Sequence, residues 1–325
     1  MPNQHSHNLE QEAEAFDTQI EERIANGHVP DLSYSKPCDW FYNNPWRRPA
    51  YVRLDIGEQF ELVRDAIRDN NGPGRSSPQK ILEVGCGPGY LSLELARAGF
   101  DVTGLDVSPK CIEVAIRFAD SDPQKQDRGR LNHLVGDFYT HPDIQEDYFD
   151  AIVFLGALHH FPDQDATVSR ARSLLRVGGI IIAHEPVRDR VTKGNAAFVH
   201  LLRVLVSIQH GFYKTCGIPA TTAQRDAEIN KLFNEMRYEL ADGEKAQSIN
   251  DNEAGYREMY PALKKFFVQK TFEWRYAFFH EFIGGLRFEE SRNIELATYL
   301  RDIDKELCKL GVLQATEFFF VGKTN

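Results

Sequence analysis

The chain has 325 residues and a net charge of −10, from 48 acidic and 38 basic side chains. A nucleic-acid-binding protein usually carries a basic face, and no Lys/Arg-rich run is present, so a nucleic-acid partner is disfavoured. The five cysteines are odd in number and widely spaced, which argues against a disulfide scaffold or structural zinc and favours a reducing, cytoplasmic compartment. The polar start lacks the apolar core of a signal peptide, and no apolar run is long enough to predict a membrane-spanning helix.

Residues 1–78 predict an N-terminal extension made of helices and an aromatic segment. A weak helical pattern over residues 1–28 is typical of a helix that is docked or partly disordered, and an amphipathic pattern predicts a second helix over 53–70. Between them, Tyr42 and Trp46 lie in an aromatic segment with several arginines. These two side chains are substrate-binding candidates in a lid. The alternative is a tail that packs its aromatics against the core, where such side chains bury much area.

Residues 80–90 predict a buried strand, a tight glycine turn and the start of a helix. Gly85, Gly87 and Gly89 follow one another at a spacing of two, whereas the dinucleotide-binding fingerprint would place its third glycine at Tyr90. Glycine is needed where the backbone takes φ > 0 or approaches a ligand closely. The first helical turn also exposes N–H groups toward whatever lies on the loop.

The run from 83 to 89, Glu-Val-Gly-Cys-Gly-Pro-Gly, resembles the E/D-x-G-x-G-x-G motif of class I S-adenosylmethionine-dependent methyltransferases. This resemblance implies that the loop wraps the methionine part of S-adenosylmethionine and that the acidic residue helps hold its ammonium group. The cofactor-binding candidates of this stretch are therefore Glu83, Gly85, Cys86, Gly87 and Gly89. A glycine-rich turn in some other α/β protein is the alternative.

A second predicted strand, residues 100–106, ends in an acidic residue. Asp106 lies 21 positions after Gly85, and an acidic residue about 20 positions after such a turn lies within reach of a ribose. By position, the resemblance makes Asp106 the residue that accepts both ribose hydroxyls, with Val107 beside it. The alternative is a helix N-cap, because Ser108 and a proline begin the next helix.

A third predicted strand begins at residue 131 and exits at Asp137 and Phe138. This exit resembles the family's Gly-Asp-hydrophobic step. The resemblance implies that Asp137 hydrogen-bonds the adenine amino group and that Phe138 stacks on the ring. A surface turn is the alternative.

The fourth predicted strand, residues 148–155, is followed by His159 and His160, and resembles the corresponding segment of UbiE-like and related small-molecule methyltransferases. Leu155 at its exit is a further cofactor-contact candidate. Each histidine is a candidate general base for an acceptor hydroxyl or amine. Because they are adjacent, we expect them to point in different directions, one to the site and one to the core, which argues against a two-histidine metal chelate. Purely structural roles for both are the alternative.

The fifth predicted strand, residues 177–186, carries Glu185 near its end. Glu185 is a candidate for contact with the methyl acceptor, and a structural role in the loop is the alternative. Residues 190–264 are too long for an ordinary crossover and predict a helical insertion. Its apolar helix over 198–208 favours capping of an acceptor pocket or packing in a homodimer. His210 and Tyr213 are further candidates for lining the pocket.

The remaining chain predicts an aromatic strand over 266–279, a helix over 291–309 and a closing strand over 315–323. Taken with the resemblance, the fold is expected to be a Rossmann-like, doubly wound α/β sheet of seven strands, mostly parallel, with the last strand antiparallel between the fifth and sixth. The predicted parts are an extension (1–78), a cofactor-binding core (79–189), an insertion (190–264) and the rest of the sheet (265–325).

The resemblance implies in-line transfer of a methyl group from S-adenosylmethionine to an O, N or C nucleophile of a small molecule, without a metal. The aromatic flanks suggest a partly apolar or aromatic acceptor. Two alternatives stay open: another transferase on the same fold, such as an aminopropyltransferase, and a non-catalytic methyltransferase-like binding protein.

Overall fold

The computed structural model describes residues 4–25, 27, 53–70, 78–239, 245 and 247–324. Within them, seven strands form one sheet in the order β3-β2-β1-β4-β5-β7-β6. The strands are β1 Lys80–Val84, β2 Asp101–Asp106, β3 Leu131–Val135, β4 Phe149–Leu155, β5 Leu175–Pro186, β6 Val268–Arg275 and β7 Glu317–Lys323. β7 runs antiparallel between β5 and β6, and the other neighbouring pairs are parallel. The predicted fold is confirmed.

Helices cover both faces of this sheet. They are α1 Gln4–Ala25, α2 Glu58–Asp69, α3 Tyr90–Arg97, α4 Pro109–Ser121, α5 Gln164–Leu174, α6 Lys193–Ile208, α7 Thr222–Arg237, α8 Tyr256–Phe266, α9 Phe279–Phe282 and α10 Glu290–Lys309. A π-helical turn, Arg53–Gly57, precedes α2, and 3₁₀ turns lie at Leu158–His160, Arg188–Arg190 and Ile283–Gly285. α6, α7 and α8 fill the segment between β5 and β6. None of the described helices is both long and apolar enough to cross a membrane.

The central strands are apolar along their length because both of their faces are covered. In β5, Ile181 packs into the core on one face of the sheet, whereas Ile180 and Ile182 pack into the core on the other. β4 is buried from Phe149 to Phe154. These buried strands fix the position of the loops at their carboxyl ends, where the candidate site lies.

The N-terminal helix α1 is docked on α4. Ile20 is buried in a small cluster with Cys111. Asp17 accepts a hydrogen bond from the Ser108 hydroxyl (2.5 Å) and another from the Lys110 N–H (3.0 Å). A carboxylate at a helix N-terminus is also favoured by the helix dipole. Of the two alternatives for this segment, the docked helix is the one observed.

Candidate active site

Two cavities open at the carboxyl ends of the strands, the edge where parallel α/β sheets bind ligands. The first, here called the glycine-loop cavity, has about 210 Å³ and lies against the loop after β1 and the ends of β2 and β3. The second, here called the β5–β7 cavity, has about 340 Å³ and lies against the end of β5 and the start of β7. Gly156 lines both, and a Cβ built on it would meet no atom within 4 Å. The two cavities therefore adjoin at this residue.

The glycine loop is shaped by backbone that only glycine adopts without strain. Gly85, Gly87 and Gly89 have φ of +71°, +51° and +78°, a region that other residues rarely enter. The N–H groups of Gly85 and Cys86 donate to the Leu105 carbonyl (2.8 and 3.0 Å), which ties the loop to β2. A Cβ on Gly87 would meet nothing within 4 Å, so Gly87 presents bare backbone to the cavity.

Four of the predicted cofactor residues do not line the glycine-loop cavity: Glu83, Cys86 and Gly89 are buried, and Leu155 lies in the wall of the β5–β7 cavity instead. Glu83 is buried and accepts a hydrogen bond from the Ser92 hydroxyl; burial raises the pKa of its carboxyl to about 8. Burial also raises the pKa of the Cys86 thiol well above its usual value. A Cβ on Gly89 would lie 2.7 Å from the Ala115 Cβ. The three buried residues support the loop from within the core.

Asp106 lines the glycine-loop cavity together with Val107. Its carboxylate accepts hydrogen bonds from the Gly87 N–H (2.7 Å) and the Ser108 N–H (2.9 Å). Burial raises the pKa of Asp106 to about 6. The helix N-cap is Ser108, whose hydroxyl accepts from the Cys111 N–H. The carboxylate is therefore fixed against the loop, and the helix cap is supplied by another residue.

Asp137 and Phe138 line the same cavity at the end of β3. The Asp137 carboxylate accepts from the Tyr139 N–H (3.1 Å) and the Thr140 hydroxyl (3.1 Å). Phe138 is 2% exposed and meets the Phe154 ring edge to face. Most of the Phe138 ring is therefore in the core, and only its cavity edge can touch a ligand.

The two adjacent histidines lie with ring centroids 4.2 Å apart, so the expectation that they point apart is wrong: one 3₁₀ turn carries both. The structure does place one histidine at a cavity and the other in the core. His160 lines the glycine-loop cavity, and its Nδ1 lies 2.8 Å from Glu12 Oε1. His159 is buried, with Nδ1 2.8 Å from Glu185 and Nε2 3.6 Å from Asp251. Ligand atoms of His159, His160 and Asp251 lie within 4.8 Å of one another, a spacing that a metal ion could bridge.

Glu185 is fully buried, and its carboxylate holds the turn after β4 in place. It accepts from the Ala157 and Leu158 N–H groups (3.1 and 2.9 Å). Burial alone would lower the pKa of His159, but hydrogen bonds with Asp251 and Glu185 raise it above its usual value. Glu185 also contributes to the wall of the β5–β7 cavity. Glu185 therefore has the structural role that was the alternative in the sequence analysis, and it also lies at the cavity where an acceptor was expected.

Helix α1 closes one side of the glycine-loop cavity through Asn8, Glu12 and Phe16. Glu12 is buried and accepts from the Ser248 hydroxyl (2.8 Å) and the Asn250 N–H (3.0 Å). Sequence reasoning missed Glu12, because one glutamate in a helix rich in glutamate carries no local signal. The helix, the loop near residue 250 and His160 are thereby linked in one network.

Ionisable side chains from distant parts of the chain line the β5–β7 cavity: Asp55, His184, His280 and Glu317. His280 Nε2 lies 3.1 Å from Glu317, and its Nδ1 lies 3.4 Å from Asp55. Burial would lower the pKa of His280, but these two carboxylates raise it well above its usual value. Burial would raise the pKa of Glu317, but His280 and His184 hold it well below its usual range. The cavity thus contains an internally paired charge network, with Leu155 in its wall beside Gly156.

Two further predicted substrate residues, His210 and Tyr213, lie outside both cavities. Both are exposed, because the chain turns at the end of α6, with His210 at φ +53°, and buries Phe212 against Phe282 instead. Tyr42 and Trp46 lie outside the described residues.

The chain is similar in sequence to known methyltransferases. The sequence profile of the methyltransferase domain family matches residues 56–253. A ubiquinone biosynthesis O-methyltransferase of Methylocella silvestris is 33% identical over 138 residues, 42% of this chain and 50% of that protein. One of Aromatoleum aromaticum is 35% identical over 101 residues, 31% of this chain and 41% of that protein. The matches thus span half or less of these relatives.

Two solved structures share the fold over nearly the whole chain. The [4+2]-cyclase SpnF has a TM-score of 0.54 at 15% identity, with 98% of this chain and 97% of that chain covered. Geranyl diphosphate C-methyltransferase from Streptomyces coelicolor, solved with S-adenosyl-L-homocysteine, has a TM-score of 0.54 at 12% identity, with 98% of each chain covered. The sheet order and the glycine loop define the class I S-adenosylmethionine-dependent methyltransferase fold. The chain belongs to the methyltransferase domain family.

Proposed function

We propose that this chain transfers the methyl group of S-adenosylmethionine to a small molecule bound in the β5–β7 cavity. The observation that carries this proposal is that Gly156 lines both cavities and leaves open space where a side chain would be. A donor in the glycine-loop cavity and an acceptor in the β5–β7 cavity would face each other at this point. A volume of about 340 Å³ fits the range of roughly 300–1,000 Å³ usual for small-molecule sites.

In this proposal, the glycine-loop cavity holds the cofactor. Asp106 accepts hydrogen bonds from the ribose hydroxyls, and Asp137 accepts one from the adenine amino group. Phe138 contacts the adenine ring through the edge of its own ring. Bare backbone at Gly87 lets the methionine part approach closely. Glu83, Cys86 and Gly89 act on the cofactor only through the loop that they support.

Methyl transfer would proceed by in-line displacement at the methyl carbon. The sulfonium is already electrophilic, so the family's reaction needs no metal, and no step involves the cluster around His159. The protein's task is to align nucleophile, methyl carbon and sulfur and to exclude water. The relatives are named as O-methyltransferases and one fold neighbour as a C-methyltransferase, which supports oxygen first and carbon second as the nucleophile.

A second candidate function is a reaction other than methyl transfer. One observation favours it: a [4+2]-cyclase has the same fold as this chain. Proteins that share a fold can catalyse different reactions.

Calorimetry with S-adenosylhomocysteine, followed by incubation with S-adenosylmethionine labelled in the methyl group and a metabolite extract, tests the proposal. Binding together with label in a small-molecule product is the expected result. Failure to bind at millimolar ligand would reject the proposal, and binding without labelled product would favour the second candidate.

We further propose that the chain works in the cytoplasm and forms a homodimer through α6. Leu201, Leu205 and Ile208 of this helix are each about half exposed, an apolar stripe of the kind that often marks a partner surface. Light scattering should give twice the mass of one chain, and Leu205→Glu should halve it. A monomeric wild type would reject the dimer.

A further inference from the structure

A cluster of ionisable side chains is buried beside the glycine-loop cavity, where the turn after β4 contacts residues 248–254. Its members are Glu12, His159, His160, Glu185 and Asp251, which are joined through the two imidazole rings. All but His160 are at most 5% exposed. The methyl-transfer scheme above uses none of them as a reactant, so their burial together needs another explanation.

The carboxylates of this cluster outnumber its histidines. Glu12, Glu185 and Asp251 bring three carboxylates to two imidazoles, and among the described residues no lysine or arginine forms an ion pair with any of the three. Even with both rings protonated, one negative charge would stay unpaired. Buried charges are costly unless they are paired or bound to a metal ion. A bound cation would remove this imbalance.

Asp251 is the member whose hydrogen bonding is incomplete. Glu12 accepts from Ser248 and Asn250, whereas Asp251 is 2% exposed and its Oδ2 has no hydrogen-bond partner in the part of the chain that the structure describes. Its Oδ1 lies 3.6 Å from His159 Nε2, longer than the roughly 2.7–3.2 Å of a well-formed hydrogen bond. A proton on Nε2 would therefore leave Asp251 poorly satisfied, although buried polar groups nearly always find a partner.

The same separation suits two ligands of one metal ion. Nitrogen and oxygen ligands lie about 2.0–2.2 Å from Zn²⁺, so two of them in a tetrahedral site lie roughly 3.4 Å apart. His159 Nδ1 lies 2.8 Å from Glu185 Oε2, and a proton shared there leaves the lone pair on Nε2, the nitrogen nearer to Asp251. Metal-bound histidines nearly always have such a partner on their second nitrogen.

His160 supplies a third ligand. One ligand atom each from His159, His160 and Asp251 lies within 4.8 Å of the other two. Two imidazoles and one carboxylate are the donor set of Zn²⁺ and related transition metals, whereas Mg²⁺ and Ca²⁺ prefer oxygen ligands throughout. Three protein ligands leave one tetrahedral position for water.

We propose that His159, His160 and Asp251 bind a divalent transition-metal ion, with Zn²⁺ best suited to the three donors. The ion takes no part in methyl transfer. It joins the turn after β4 to residues 248–254, which already contact each other through the Ala254 N–H and the His159 carbonyl (3.1 Å). Because His160 also lines the glycine-loop cavity, the ion would stabilise one wall of that cavity.

Metal binding is tested on the full chain after treatment with a chelator. Calorimetry with Zn²⁺ should give one ion per chain with a dissociation constant on the order of micromolar or lower, and Mg²⁺ should bind at least a hundredfold more weakly. Zn²⁺ should also raise the melting temperature, because a ligand that binds only the folded state stabilises it. Failure to bind Zn²⁺, or equal affinity for Mg²⁺, would overturn the proposal.

Asp251→Asn separates this site from metal bound elsewhere on the surface. The variant keeps the shape of the side chain and loses a charged ligand, so its Zn²⁺ affinity should fall at least tenfold. Glu253→Gln is the matched control, because Glu253 lies in the same segment but pairs with Lys245, and it should bind Zn²⁺ like wild type. Equal affinities in the two variants would overturn the site.

If Asp251→Asn yields no folded protein, wild type with Co²⁺ in place of Zn²⁺ still decides. A four- or five-coordinate site with histidine ligands should give intense visible absorption bands, and the weak spectrum of octahedral Co²⁺ would overturn the proposal. Both metal tests are made without cofactor. Binding of S-adenosylhomocysteine by a chain that binds no Zn²⁺ would therefore reject only this inference.

Discussion

The glycine-loop cavity and the β5–β7 cavity adjoin at Gly156, yet the side of each that faces the sheet is built differently. In the first, that side consists of short continuous segments after β1, β2 and β3, with the bare backbone of Gly85, Gly87 and Gly136 among them. The second is assembled from side chains that range from Asp55 to Glu317. A site built from backbone at strand ends leaves a local mark in the sequence, whereas a site built from distant side chains does not.

The largest effect is expected where the glycine-loop cavity depends on one side chain. Asp106→Ala should weaken S-adenosylhomocysteine binding by at least about tenfold, because a hydrogen bond to a charged group contributes about 1.5–3 kcal/mol and two loop N–H groups also lose their acceptor. Calorimetry measures the change. Asp101→Ala at the other end of β2 is the control and should leave the affinity unchanged.

The same carboxylate predicts a pH dependence. Its pKa of about 6 means that Asp106 is ionised above this pH and protonated below it. Affinity for S-adenosylhomocysteine should therefore fall as the pH drops from 7 to 5, and Asp106→Asn should remove that slope. An equally steep slope in the variant would contradict the assigned role.

The junction between the cavities is tested by Gly156→Ala. A methyl group there would intrude where donor and acceptor meet, and we expect methyl transfer to fall about tenfold while cofactor affinity stays within about threefold, since small misplacements of reacting groups are costly. Gly311→Ala is a matched control, because Gly311 has a similar φ of +70° and open space around its Cβ position. Both variants should lose a similar amount of stability in thermal unfolding. If their methyl-transfer rates were equal, the two cavities would not meet at Gly156.

Behind the loop, the expected effect is on stability and not on ligand binding. The pKa of Glu83 is about 8 when folded against a usual value of 4.5, so the folded state binds more protons than the unfolded state between these values. Wild-type stability should thus fall as pH rises from 5 to 8. Glu83→Gln should lack this slope, gaining on the order of 3 kcal/mol relative to wild type over that range. If the stabilities of wild type and Glu83→Gln changed equally with pH, Glu83 would not be buried as a neutral acid.

The smallest effect is expected in the N-terminal helix. Glu12→Gln removes the charge beside His160 but keeps an acceptor for Ser248 and Asn250, so S-adenosylhomocysteine affinity should fall only about threefold, a loss of roughly 0.7 kcal/mol. The exposed Glu14→Gln is the control on the same helix. A larger loss in the control would mean that the helix acts through its overall charge.

These contrasts explain what the sequence could and could not predict. Asp106 was identifiable because it ends a predicted strand 21 positions after Gly85, whereas Asp137 and the antiparallel last strand were expected only from the resemblance to the family. Glu12 was not identifiable, because its partners Ser248 and Asn250 lie more than two hundred residues away and only the fold brings them together. His210 lies outside both cavities, and its proximity to an apolar helix could not indicate the direction in which the chain leaves that helix.

The most direct test of the two-cavity arrangement is a crystal structure of the protein with bound S-adenosylhomocysteine. We predict that the adenosine will lie between Asp106 and Asp137, and that the sulfur will lie beside Gly156, facing the β5–β7 cavity. A ligand bound elsewhere, or a sulfur turned away from Gly156, would contradict the proposal that these two cavities form one methyl-transfer site.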